Sequence, residues 1–165
     1  VLVPALSWIS TSEAVTSVGA KPIFIDIHPN FFTIDETKLE EKITTKTKAI
    51  IPVHLYGLAA PMNEILEIGK KHNLYIIEDC AQAHGASYKG QKVGSFGIAS
   101  AFSFFPGKNI GAIGDAGCIV SNHKDIAEKC RLIANHGQLE KNTHVIEGRN
   151  SRLDGINAAI LDIKL

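Results

Sequence analysis

Leu74-Tyr75-Ile76-Ile77-Glu78-Asp79 is the stretch that decides the architecture. Its unbroken apolar run reads as a strand covered on both faces, the pattern of a parallel sheet. Two carboxylates follow at its C-terminal end. Upstream, Met62, Ile65, Leu66 and Gly69 recur at helical spacing behind Pro61, which suits a first helical turn. A helix therefore feeds the strand.

Working outward, the same alternation holds. Val1–Val3, Ile23–Ile27, Ala49–Val53, Ile98–Phe102 and Cys118–Ser121 read as further strands. Residues 31–34 read as a short extended piece. A helix is expected over Glu13–Val18, capped by Ser10 or Thr11 and stopped at Gly19. Asp35 is placed to cap a helix running to Ile43. Asn122 with Asp125 resembles a capping pair for a helix to about His136, buried along Ile126, Cys130, Ile133 and Ala134. A last helix over Asp154–Leu165 would turn Ile156, Ala159, Ile160 and Ile163 inward. Residues 86–93 suggest a small hairpin around Gly90, and residues 138–151 a polar loop. Strands alternating with helices give α/β with a mostly parallel sheet, whose ligands bind beyond the strands' carboxyl ends.

Composition narrows the function. Lys+Arg and Asp+Glu are equal at 17 each over 165 residues, enough chain for one domain. No basic stripe argues for nucleic acid, and no apolar run or signal peptide argues for a membrane. Cys80, Cys118 and Cys130 are odd in number and lack metal-type spacing, so they read as reduced, mostly buried thiols of a cytoplasmic protein. The histidines are scattered, and no metal site is expected. The chain opens on Val1 without an initiator Met and stops at Leu165 inside an apolar run, so a fragment of a longer protein is expected.

The chemistry concentrates in residues 99–117. An apolar run ends in Ser103, a turn follows at Pro106-Gly107, and Lys108 then precedes a loop punctuated by Gly111, Gly114 and Gly117. The upstream glycine and the following Ser/Thr of a P-loop are missing. A lone lysine among apolar segments reads as a desolvated, nucleophilic amine suited to a carbonyl substrate, or else as an exposed turn residue. Asp79 either caps the next helix or holds a ligand cation. Taken as a pair, the two are the minimum set for pyridoxal phosphate: an amine for the aldehyde and a carboxylate to keep the pyridine nitrogen protonated. Gln82 could lie beside such a ring, Ser103 could donate to a phosphate, and Trp8 could stack on the ring. Each also has a purely structural reading. His54 and Tyr56 follow another strand end, where a satisfied, half-buried histidine is expected. Asn150, Ser151 and Arg152 form a polar knot that caps a helix or binds an anion.

Five segments in order carry a resemblance: 53–57, 78–85, 102–111, 114–117 and 148–154. Together they resemble the DegT/StrS-type family of pyridoxal-phosphate-dependent sugar aminotransferases. The resemblance implies a three-layer α/β fold, the central part of a fold-type I large domain covering residues 1–165. The N-terminal phosphate-binding segment and C-terminal small domain of that family lie outside it. It implies Lys108 as the internal-aldimine lysine, Asp79 as the pyridinium partner, Gln82 beside the ring and Ser103 as a phosphate ligand. It further implies Trp8 stacked on the ring, and Asn150 reaching the phosphate of a neighbouring subunit in a homodimer with shared active sites. The implied reaction passes an amino group from an amino acid, usually glutamate, to a keto-sugar carried on a nucleotide. A free cyclitol ketone as acceptor, or a truncated non-catalytic relative acting as a binding or regulatory module, are the alternatives.

Overall fold

The computed structural model describes residues 1–165. In chain order the strands are β1 (Leu2–Pro4), β2 (Ile23–Ile25), β3 (Ala49–Ile50), β4 (Tyr75–Asp79), β5 (Ser87–Tyr88), β6 (Gln91–Lys92), β7 (Ala99–Ser103), β8 (Gly117–Val120), β9 (Gln138–Glu140) and β10 (Thr143–His144). The helices are α1 (Ser10–Ser17), α2 (Met62–His72), α3 (Lys124–Ala134) and α4 (Gly155–Lys164). No helix is long and apolar enough to cross a membrane.

Six strands form one sheet in the order β2-β1-β3-β4-β7-β8. Every pairing from β2 to β7 is parallel, and β8 runs antiparallel at the edge. The fold is α/β with a mostly parallel sheet. The main core gathers Leu2, Ile25, Ile50 and Ile76 from the strands with Met62 and Ile65 from α2. α2 ends on Asn73 in the left-handed conformation (φ 53°), which turns the chain directly into β4. Lys70, Lys71 and His72 sit in the last turn, where cations favour the helix dipole. Short connections on this scale deliver the C-terminal ends of β4 and β7 side by side, with Asp79 opposite Ala101.

Several expectations are corrected. The helix expected after Asp35 is two short 3-10 turns, Glu36–Lys38 and Glu40–Lys42. Asp35 does cap the first, accepting from Thr37 N at 3.1 Å, and only Leu39 of that segment is fully buried. With so little apolar face to bury, a longer helix gains nothing. Residues 31–34 are not a strand: one bridge, Ile27 to Ile34, closes a turn through Phe32 (φ 60°). The polar loop after α3 contains the hairpin β9–β10. Asn122 and Asp125 do not cap α3; Ser121 Oγ accepts from His123 N at 3.0 Å instead. The apolar stripe of α3 is half-buried throughout.

The inward face of α4 was expected one step out of register. Ile156 and Ile163 are 69% and 86% exposed, whereas Asn157 and Leu161 are buried. The competing signal was Asp154, whose carboxylate accepts from Asn157 N at 2.8 Å and so fixes which face turns in. Of the cysteines, only Cys80 is fully buried, and Cys118 is exposed.

Gly97 marks a close approach of two backbones, just before β7. A Cβ there would meet the carbonyl oxygen of Ile76, which accepts from Ile98 N at 2.9 Å. Gly97→Ala is therefore expected to lower the unfolding free energy by about 2 kcal/mol, read from denaturant unfolding of the protein.

Candidate active site

Glu78 and Asp79 are sequence neighbours at the end of β4, and strand alternation sends them to opposite faces. Glu78 is completely buried. Its carboxylate accepts from Gly94 N (2.6 Å), Phe96 N (2.8 Å), Gly97 N (2.8 Å) and His54 Nε2 (3.1 Å). Burial alone would raise its proton affinity, but the His54 and backbone donors outweigh it and hold the carboxyl below the ordinary glutamate range. His54 is fully rather than half buried, and its Nδ1 accepts from Ala60 N at 3.0 Å. That acceptor role fixes the ring proton on Nε2, facing Glu78.

Cys80 sits beside this pair, and its sulfur, a His54 nitrogen and a Glu78 oxygen lie within 4.8 Å of one another. The imidazole and carboxylate are already committed to the bonds above. Burial, with the Glu78 and Asp79 charges added, pushes the Cys80 thiol far above its usual range. The cluster is therefore a satisfied structural node rather than a metal cradle.

Asp79 points the other way, into a cavity of about 520 Å³. Ser7, Trp8, Gln82, Ser103, Phe105, Lys108 and Asp115 are among the residues that share it. Asp79 Oδ1 accepts from Ala81 N at 3.1 Å, the local turn bond expected of a cap. Oδ2 accepts from Thr11 Oγ1 at 2.8 Å. Ser10 or Thr11 was expected to cap α1; both lie inside the helix, whose N-cap is Ile9, and the Thr11 hydroxyl goes to Asp79. Gln82 Oε1 accepts from Tyr56 N at 2.8 Å, which holds Tyr56 in the left-handed region (φ 54°). Ser103 Oγ accepts from Phe105 N at 3.3 Å, closing the turn that leads to Lys108. Lys108 is half-buried rather than sequestered. Trp8 projects its indole at the rim, 74% exposed.

Five of the residues singled out in the sequence thus converge: Trp8, Asp79, Gln82, Ser103 and Lys108. Asn150 does not line this cavity. It pairs with Asn135 across a single bridge, and its Oδ1 accepts from Arg152 N at 3.4 Å, while Arg152 Nη1 donates to Asn135 Oδ1 at 3.0 Å. Sequence reasoning gave no site role to Ser7, Thr11, Glu78 or Asp115. It also left aside His84, whose buried ring nitrogens find no partner among the protein atoms and whose ring lies 5.6 Å from both Phe102 and Phe104. Burial pulls the proton affinity of His84 down. The one usable signal was the adjacent Glu-Asp pair, since a strand cannot send both carboxylates to the same face.

A family model for the DegT/DnrJ/EryC1/StrS aminotransferases matches residues 1–165. The chain belongs to this family. It is 51% identical over 164 residues to the pleiotropic regulatory protein of Geobacillus stearothermophilus, covering 99% of this chain and 44% of that one. It is 50% identical over 161 residues to a UDP-N-acetyl-3-dehydro-alpha-D-glucosamine 3-aminotransferase of Acidithiobacillus ferrooxidans, covering 98% and 44%. Among solved structures, S. venezuelae DesV in complex with a ketimine intermediate superposes with a TM-score of 0.95 at 42% identity, covering 99% of this chain and 44% of that one. The chain thus spans under half the length of these relatives.

Glu78 supplies a stability prediction. Its contribution is complete above the ordinary glutamate range and is lost as pH falls through its lowered folded value, because the folded state then has to take up a proton it resists. Glu78→Gln should cost about 3 kcal/mol at neutral pH, because an amide turns a donor toward N–H groups that need an acceptor. The same variant should flatten the acid limb of stability against pH, measured by denaturant unfolding between pH 3 and pH 7 (roughly the span over which carboxylates titrate).

Proposed function

We propose that this chain is the cofactor-binding part of a pyridoxal-5′-phosphate-dependent aminotransferase. It passes an amino group from an amino acid, glutamate in the first instance, to the ketone of a nucleotide-linked sugar. The observation that carries the reading is one amine and one strand-end carboxylate, Lys108 and Asp79, sharing a single cavity with Trp8, Gln82 and Ser103. Family membership and the activity of the Acidithiobacillus relative support it.

The donor set fits the cofactor. Asp79 keeps a lone pair on each oxygen beyond its bonds to Ala81 and Thr11, enough to hold a proton on a pyridine nitrogen. Ser103 offers a hydroxyl to a phosphate, Gln82 an amide to a ring oxygen, and Trp8 an exposed indole face to cover the ring. When bound, pyridoxal phosphate supplies a ring that accepts negative charge from the carbon being deprotonated. Lys108 Nζ would hold the cofactor's aldehyde carbon and, as a free amine, would serve as the base for the donor's α-proton. Asn150 lies outside this cavity, and in the proposed homodimer it serves the phosphate of the neighbouring subunit.

A regulatory, non-catalytic role is the second reading, favoured by the likeness to the Geobacillus regulatory protein. One experiment separates the two. Pyridoxal phosphate added to the full-length protein should produce visible absorbance that Lys108→Ala abolishes, together with at least a roughly thousandfold loss of transamination toward keto-sugar nucleotides. A native protein without that absorbance, or an active Lys108→Ala variant, would overturn the catalytic reading.

A further inference from the structure

We infer that Thr11 is a positioning residue for Asp79, and that Ser7 extends it into a chain of hydroxyls reaching the cavity wall. Thr11 stands in the first turn of α1 and is only 7% exposed, 68 positions from Asp79 in sequence. Its Oγ1 lies 2.8 Å from Asp79 Oδ2 and 2.8 Å from Ser7 Oγ. A hydroxyl has one hydrogen. Given to the carboxylate, it leaves the Thr11 oxygen to accept, so Ser7 is the donor in the second bond. The chain therefore has one direction, Ser7 to Thr11 to Asp79.

This arrangement does two things. The Ala81 amide holds Oδ1 and the Thr11 hydroxyl holds Oδ2, so the carboxylate cannot rotate about its last bond. The remaining lone pairs are then presented to the cavity in a fixed direction. Ser7, which lines the cavity itself, ties the orientation of Thr11 to the wall that an occupant touches.

The inference rests on the proposed function in one respect only: the occupant that Asp79 faces is taken to be the protonated pyridine of pyridoxal phosphate. The test uses the full-length protein with Thr11→Val, which keeps the shape and removes the hydroxyl, and Thr11→Ser, which restores it. The ¹³C carboxyl resonance of Asp79 is recorded without cofactor, and pyridoxal phosphate affinity is recorded by visible absorbance. Thr11→Val should displace the resonance and weaken cofactor binding roughly tenfold, the scale of one charge-assisted hydrogen bond. Thr11→Ser should return both to within about twofold of native. An unmoved resonance in Thr11→Val, or equal losses in both variants, would overturn the role. Should Thr11→Val not fold, Ser7→Ala carries the test: a displaced Asp79 resonance supports the chain and an unmoved one removes it. A native protein that binds no pyridoxal phosphate defeats the proposed function, whereas the cofactor-free resonance still judges Thr11.

Discussion

A buried carboxylate, that of Glu78, is the constraint on which the rest depends. It takes its donors from His54, after β3, and from Gly94, Phe96 and Gly97, before β7. One side chain thereby ties β4 to the segment leaving β3 and to the segment entering β7. An unpaired charge at that depth would be prohibitive, so these segments cannot separate without exposing it. Its neighbour Asp79 inherits the rigidity. Strand alternation places Asp79 at the cavity with a backbone that cannot shift, and only its side-chain torsion is left for Thr11 to settle.

The second half of the site is held from α4. Leu161 packs on Phe104 and Ala112, Asn157 Oδ1 accepts from Ile113 N at 3.1 Å, and Lys164 donates to the carbonyl of Gly111. These contacts grip the glycine-rich loop on both sides of its bend. The residues before Lys108 are fixed in turn by Phe104 and Ala112, joined through Ala112 N to Phe104 O at 2.8 Å. The amine thus sits on a short, anchored turn between β7 and a clamped loop.

Much of this is legible in the sequence. The continuous run before Glu78 announced a covered parallel strand, and the helix-strand alternation announced the sheet. The lysine after Ser103 and the strand-end aspartate identified the two sides of one cavity. What was not legible depended on contacts between distant residues. Thr11 has the composition of a cap, and only its partner 68 positions away shows otherwise. The face of α4 was misread because four isoleucine and alanine positions outweighed one asparagine in the pattern, although Asn157 is the residue with bonds to make. The helix after Asp35 failed because a good cap cannot compensate for a segment with little apolar surface to bury.

The contact between Tyr56 and Gln82 carries a last consequence. Tyr56 is held at positive φ, and its N–H is aimed at Gln82 Oε1. An amide whose oxygen is drawn to that N–H turns its NH₂ the other way. On the side away from Tyr56, Gln82 therefore presents N–H donors, which suit an oxygen or a bare nitrogen. Chemical discrimination at this wall is written by main-chain geometry, and a glutamate in the same place would invert it.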